Sequence, residues 1–197
     1  MDEKLDLDKI ITADSILFFD MDGTLIDTDF ANFLSYKKAI HSVTQNGFEL
    51  SFNPKLRFNR QILKNTFPHL SQVDYERIIQ EKEEYYKDYL HETKLNTKIA
   101  DILLKYTKTN RTVLVTNCRK ERALMILNHF GLADKFSNIY FRKLTDNGLK
   151  INKFKNAISK LGVPPNLVIA FENEEIEIVD AQKAGIKIIN PKIGINE

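Results

Sequence analysis

Two aspartates two positions apart are the clearest chemical signal in the sequence. Asp20 and Asp22 stand in the segment DMDGT, directly after the apolar run SILFF. One carboxylate can attack a phosphoryl group, while the other protonates the leaving oxygen and then deprotonates water. Because phosphate and carboxylate repel each other, this chemistry needs a hard divalent cation, and Mg²⁺ suits such an oxygen-rich setting. The pair therefore indicates phosphoryl transfer, against the plainer alternative of a strand that runs into an Asx turn.

Short apolar runs alternate with amphipathic stretches, which predicts an α/β fold with a parallel sheet and right-handed crossovers. The predicted strands cover residues 15–20, 112–116, 139–141, 167–171 and 186–190, and the helices of this part cover 99–106, 121–130, 153–161 and 176–184. Three strands are followed by polar pairs, namely Asp20 with Asp22, Thr116 with Asn117, and Glu172 with Asn173. Because ligands bind at the carboxyl edge of such sheets, we expect these three segments to meet there.

Residues 29–95 do not continue this alternation. They are mostly helical in pattern, with apolar stripes around residues 30–40, 56–67 and 75–90. We therefore predict an α/β core made of residues 1–28 and 96–197, interrupted by a helical cap made of residues 29–95.

Composition excludes several classes of function. The 29 Lys and Arg residues against 27 Asp and Glu leave a net charge of +2, which gives no electrostatic argument for nucleic acid or an anionic membrane. No apolar run approaches ~18 residues, so a membrane span is not expected. The N-terminal stretch MDEKLDLDK is acidic and lacks the apolar region of a secretory leader. Cys118 is the single cysteine, which favours a reducing, cytoplasmic location.

The stretch FFDMDGTLIDT resembles the first motif of the haloacid dehalogenase-like hydrolases. The resemblance implies a Rossmann-like core with a helical cap, a nucleophilic Asp20 and a general acid and base at Asp22. It also implies Mg²⁺ held by the Asp20 carboxylate and the Asp22 backbone carbonyl. Phosphatases and phosphomutases of this superfamily carry the second aspartate, whereas its dehalogenases lack it. The sequence therefore resembles a phosphoryl-transfer member.

Two further motifs of the superfamily can be matched. Thr116, with Asn117 beside it, matches the hydroxyl residue at a strand end that holds phosphate oxygens. The superfamily also places a lysine at a helix N-terminus, where it offsets the charge of the carboxylates and the phosphoryl group. Lys153 is the preferred match because it directly precedes an apolar helical pattern, and Lys155 and Lys150 are the alternatives.

The fourth motif supplies acidic metal ligands after a strand, and here the sequence departs from the pattern. Glu172 aligns with the first acidic position, but Asn173 stands where the metal-binding aspartate is expected. An asparagine oxygen can bind Mg²⁺ without adding charge, so the metal affinity should fall. We predict Glu172 and Asn173 as metal ligands, with Glu177 as a residue that could hold a ligating water. The plainer alternative is that these acids complement the dipole of the next helix.

These features favour a Mg²⁺-dependent phosphatase that hydrolyses a small phosphorylated metabolite through an aspartyl-phosphate. One alternative is a phosphomutase that resembles β-phosphoglucomutase and passes the same phosphoryl group to a sugar hydroxyl. The other is a catalytically weak relative that acts as a binding module, which the neutral Asn173 motivates. The sequence leaves the substrate and the oligomeric state open.

Overall fold

The computed structural model describes residues 7–45 and 49–191, and it contains two units. The larger unit comprises the described residues up to Leu25 and from Asn96 onward, and the smaller unit is Ile26–Leu95. The smaller unit is therefore an insertion in the sequence of the larger one. Its action as a cap stays a prediction. The first six residues of the acidic N-terminal stretch lie outside the described residues.

The strands of the described residues form two sheets. In chain order they are β1 (Ile16–Phe19), β2 (Ile26–Asp27), β3 (Lys94–Leu95), β4 (Arg111–Val115), β5 (Asn138–Tyr140), β6 (Val168–Phe171) and β7 (Ile188–Ile189). Five of them form a parallel sheet in the order β5-β4-β1-β6-β7. The strands β2 and β3 pair antiparallel within the smaller unit. The predicted α/β class with a parallel sheet is confirmed.

In chain order the α-helices are α1 (Leu7–Ile10), α2 (Asp29–Thr44), α3 (Arg60–Thr66), α4 (Gln72–Tyr85), α5 (Thr97–Tyr106), α6 (Lys120–His129), α7 (Lys153–Leu161) and α8 (Glu175–Lys183). The helices α5 to α8 alternate with the strands of the larger unit as the pattern predicts, whereas α2, α3 and α4 belong to the smaller unit. The side chains of Asn96 and Asn152 cap α5 and α7 by accepting backbone N–H groups, which satisfies donors that a helix start leaves open. Within residues 7–45 and 49–191, none of the helices has the length and apolar character that a membrane crossing requires.

The two central strands are buried on both faces. Every residue of β1 and β6 is buried. On one face Phe18 and Val113 pack in one cluster with Phe154 of α7. On the other face the ring of Phe19 stacks on that of Phe171, with 4.8 Å between centroids. This double burial explains why these strands are uninterrupted apolar runs in the sequence.

The smaller unit has an apolar core of its own. Phe33 and Ile40 of α2 pack there with Leu63 of α3 and Ile78 of α4. The helix predicted over 56–67 begins only at Arg60, because the side chain of Asn59 accepts two backbone N–H groups and starts the helix there.

The helix predicted over 75–90 is divided in the structure. Its α-helical part, α4, ends at Tyr85, and a 3₁₀-helix continues over Tyr86–Glu92. Such tightening is common where an α-helix ends, and an apolar stripe does not distinguish the two helix types.

A hairpin of residues 142–151 connects β5 to α7. Leu144 and Lys150 form an antiparallel bridge across it. Gly148, with φ at 75°, supplies the left-handed residue of its turn. A hairpin with a single bridge does not require alternating apolar residues, so the sequence pattern did not predict it.

Candidate active site

The polar side chains predicted to meet at the sheet edge belong to the larger unit and follow adjacent strands. Asp20 directly follows β1, Thr116 follows β4 and Glu172 follows β6. These three strands are neighbours in the sheet, and the backbone N–H of Asp20 donates to the carbonyl of Phe171 at 3.0 Å. Parallel pairing therefore brings segments that are far apart in the chain to one edge.

A buried lysine joins two of these segments. The Nζ atom of Lys153 lies 2.6 Å from Asp20 Oδ1 and 2.6 Å from Glu172 Oε2. The three side chains are at most 7% exposed, so the charges interact in a poorly hydrated place, where charge-assisted hydrogen bonds are strong. Lys153 is the first residue of α7, whereas Lys155 is exposed to solvent. Of the three candidate lysines, the structure places Lys153 beside the predicted nucleophile.

The protonation of Asp20 reflects a balance of opposing effects. Burial raises its pKa, Lys153 lowers it, and the charges of Glu172 and Asp22 raise it; the net effect is a pKa of about 7 instead of 3.8. Burial by itself lowers the pKa of Lys153, but Asp20 and Glu172 offset this effect, so its pKa lies above the usual range. Lys153 is therefore a permanent cation, and Asp20 exchanges its proton near neutral pH in the metal-free protein.

Glu172 is engaged through both of its carboxylate oxygens. Its Oε1 atom accepts the backbone N–H groups of Asn173 and Glu174 at 2.9 and 3.0 Å, and its Oε2 atom accepts from Lys153. The sequence analysis assigned Glu172 to the metal. That assignment stays a prediction; in this structure the two oxygens orient the loop after β6 and contact the lysine.

Asn173 packs against the turn that carries the two aspartates. Its Oδ1 atom accepts a hydrogen bond from the Thr24 hydroxyl at 2.9 Å. Gly23 has φ at 84°, and a Cβ atom added there would lie 2.5 Å from Asn173 Nδ2. Glycine at this position therefore permits both the left-handed backbone and the close approach of the amide. Asp22 lies in the same turn and is half-buried.

The loop after β4 presents a hydroxyl group and an unsatisfied amide. The Thr116 hydroxyl oxygen accepts the Cys118 backbone N–H at 3.0 Å, so its own proton is available to another acceptor. Asn117 Oδ1 is buried and has no hydrogen-bond partner within residues 7–45 and 49–191. A buried acceptor without a donor is costly, which makes this loop a place where a bound group would add hydrogen bonds.

The donor set at the end of β1 suits a hard cation. No group of three or more His, Cys, Asp and Glu side chains in the described ranges could hold a metal ion. A metal here would depend on the Asp20 carboxylate, the Asp22 carbonyl and the Asn173 amide oxygen, all of them oxygen donors. This set fits Mg²⁺, which binds few protein oxygens and keeps several waters, and it does not fit zinc, which prefers nitrogen and sulfur.

Two positions that support the site did not stand out in the sequence. The Asn190 side chain accepts the Glu172 backbone N–H at 2.8 Å and donates to the Glu172 carbonyl at 2.5 Å. The proline that follows it was a sequence signal of a turn, and the structure gives Asn190 a left-handed φ of 48°. Lys150, considered only as an alternative to Lys153, instead contacts Glu177, a buried residue of α8.

Comparisons with known proteins give a family and a fold for this chain. The sequence model described as haloacid dehalogenase-like hydrolase matches residues 17–190. No curated protein matches the chain in sequence.

Solved structures share the fold. CbbY from Rhodobacter sphaeroides, solved in complex with phosphate, has a TM-score of 0.72 and 18% identity and covers 92% of this chain and 87% of its own. A haloacid dehalogenase-like family protein from Streptococcus pneumoniae has a TM-score of 0.69 and 19% identity, over 89% and 83% of the two chains. A subfamily IA hydrolase of the same superfamily from Geobacter sulfurreducens has a TM-score of 0.65 and 17% identity, over 89% and 86%.

The raised pKa of Asp20 predicts a specific pH dependence of stability. Between pH 4 and about 7 the folded, metal-free protein holds a proton on Asp20 that the unfolded chain has released. The free energy of unfolding should therefore decrease as the pH rises through this window, by on the order of a few kcal/mol. Urea unfolding of wild type and Asp20→Asn in chelator, at several pH values, isolates the contribution of this group. Parallel curves for the two proteins would contradict the assignment.

The contact between Gly23 and Asn173 predicts an unequal effect of two alanine substitutions. Gly23→Ala should destabilise the protein by more than the roughly 1–2 kcal/mol that a left-handed alanine costs, because the methyl group also meets the amide. Gly131→Ala is the matched control, since Gly131 has φ at 64° and open space around a Cβ atom. Urea denaturation measures both. Equal losses would show that the amide contact contributes nothing.

Proposed function

The chain belongs to the haloacid dehalogenase-like hydrolase family, and we propose that it is a phosphatase that releases inorganic phosphate from a small phosphorylated metabolite. The observation that carries the proposal is the buried contact of 2.6 Å between Lys153 Nζ and Asp20 Oδ1 at the end of β1. It holds a carboxylate nucleophile next to a cation that can also neutralise the oxygens of a transferring phosphoryl group.

In the first step an oxygen of Asp20 attacks phosphorus. Lys153 holds Oδ1, so we assign the attack to Oδ2. The bond between phosphorus and the ester oxygen breaks, and Asp22 gives its proton to the leaving alcohol. The Lys153 ammonium and the Thr116 hydroxyl donate to the phosphoryl oxygens, which carry the developing charge. The product of this step is an aspartyl-phosphate on Asp20.

In the second step water attacks the aspartyl-phosphate. Asp22, now a carboxylate, takes a proton from this water as the new bond to phosphorus forms. The bond between phosphorus and the Asp20 oxygen breaks, which regenerates the carboxylate and releases inorganic phosphate. One half-buried aspartate thus serves as acid and then as base.

A divalent cation completes the proposed site. Mg²⁺ bound by Asp20, the Asp22 carbonyl and Asn173 would neutralise charge where the phosphate meets the carboxylates. Glu172 is a further candidate ligand, because its Oε2 atom accepts one hydrogen bond, from Lys153, and keeps a second acceptor site. We further propose that the unit Ile26–Leu95 is a helical cap that excludes bulk water and selects the leaving group.

The proposal predicts loss of activity on removal of the nucleophile. Wild type should release phosphate from a generic aryl phosphate or from a member of a panel of sugar phosphates, nucleotides and phosphoglycolate, and release should depend on Mg²⁺. Asp20→Asn should reduce kcat by on the order of a thousandfold or more, since the amide cannot form the aspartyl-phosphate. A phosphate-release assay measures both proteins.

Asp146→Asn is the matched control, because Asp146 is exposed in the hairpin of residues 142–151. Full activity in Asp20→Asn would overturn the mechanism, and no release from any substrate would overturn the function. β-Glucose 1-phosphate distinguishes the remaining alternative, because a phosphomutase would form glucose 6-phosphate rather than free phosphate.

The neutral amide of Asn173 predicts weak metal binding that one substitution strengthens. Asn173→Asp adds a carboxylate to the donor set and should raise the affinity for Mg²⁺ by on the order of tenfold. Calorimetric titration of wild type, Asn173→Asp and the exposed control Asn147→Asp measures this directly. No binding by wild type at millimolar Mg²⁺ would favour a catalytically weak binding module. Equal affinities in wild type and Asn173→Asp would exclude residue 173 as a ligand.

A further inference from the structure

Lys153 faces three carboxylates rather than two. Asp20 and Glu172 lie within hydrogen-bonding distance of its Nζ atom, and Glu177 Oε2 lies 3.8 Å away. At 3.8 Å the third contact is an ion pair without a hydrogen bond. Glu177 is therefore close enough to attract Lys153, but in this structure it does not accept a hydrogen bond from it.

The side chain of Glu177 is almost completely buried. It is 4% exposed and belongs to the first turn of α8. The positive end of the helix dipole favours a carboxylate there, but a buried charge also needs a close counter-ion. Its Oε1 atom has one in Lys150, which forms a direct ion pair with it.

Lys150 is carried to Glu177 by the hairpin of residues 142–151. Its backbone forms the bridge to Leu144, and its side chain is 47% exposed to solvent. The N–H of Arg142, at the other end of the hairpin, donates to the carbonyl of Cys118 at 3.1 Å. The hairpin is thus anchored at the loop after β4 and reaches α8 through this ion pair.

We propose that Lys150 is a positioning residue that neutralises Glu177 and so keeps the ammonium of Lys153 on Asp20. The inference rests on the proposed function for its kinetic consequence, but its structural content concerns the contacts of four side chains alone. Without Lys150, the nearest cation to the buried Glu177 among the described residues is Lys153, at 3.8 Å. Coulomb attraction in a poorly hydrated site would then draw Nζ toward Glu177 and away from the nucleophile.

The central test is suppression of one substitution by another. Lys150→Met should lower kcat about tenfold with KM changed less than about twofold, since the nucleophile is misplaced. Adding Glu177→Gln removes the competing charge, so the double variant should return to within about twofold of Glu177→Gln alone. Lys150→Arg should retain most of the activity because it keeps the charge.

Lys143→Met is the matched control. Lys143 is an exposed lysine of the same hairpin and forms no ion pair within the described residues, so its removal should leave kcat unchanged. If Lys150→Met is too unstable to purify, Lys150→Gln keeps a hydrogen-bond donor without the charge and should show the same loss. A double variant no more active than Lys150→Met would overturn the proposal, because a merely structural role would not be rescued by changing Glu177.

A crystal structure of the Lys150→Met protein gives a readout that does not depend on activity. We expect the distance from Lys153 Nζ to Glu177 to shorten into hydrogen-bonding range and the distance to Asp20 to lengthen from 2.6 Å. Unchanged distances would overturn the inference. If wild type hydrolyses no phosphate ester, the proposed function fails, whereas these distances still decide the role of Lys150.

Discussion

The site depends on one buried cation placed between carboxylates. Lys153 lies between Asp20 and Glu172 and is a close counter-ion of both buried carboxylates, which a poorly hydrated place requires. The cation also limits what each carboxylate can do. Lys153 binds a single oxygen of Asp20, which leaves its Oδ2 atom for chemistry, while both oxygens of Glu172 accept hydrogen bonds.

Neutral groups hold the charged ones in place. The Asn152 side chain caps α7 at the turn where Lys153 begins the helix, and it donates to the carbonyl of Asp180 in α8. The Asn190 side chain, directly after β7, holds the backbone of Glu172 through two hydrogen bonds. Amide side chains offer a donor and an acceptor without adding charge, so they orient a charged centre without changing its balance. The neutral Asn173 adds to this pattern and makes the charge balance of the site less negative than an aspartate would.

Much of the fold could be predicted from the sequence. Buried parallel strands need apolar residues on both faces, so β1 and β6 are visible as apolar runs, and their helices as periodic stretches. What the pattern missed lacks a distinctive period. The two-residue strands β2 and β3 are too short for one, and the hairpin of residues 142–151 has a single bridge. The apolar stripe that runs into the 3₁₀-helix Tyr86–Glu92 does not distinguish it from an α-helix.

The sequence by itself determined the chemistry available at the end of β1, because Asp20, Asp22 and Gly23 are neighbours in the chain and their spacing is local. Only the tertiary structure decided which lysine serves them. Lys150 and Lys153 are both basic, both near the start of one helix, and indistinguishable by type. The direction of α7 and the pairing of β1 with β6 place Lys153 beside Asp20, while Lys150 contacts Glu177. Local sequence favours Lys153, which directly precedes an apolar helical pattern, but it does not show the contact of Lys150 with Glu177, because that contact joins residues far apart in the chain.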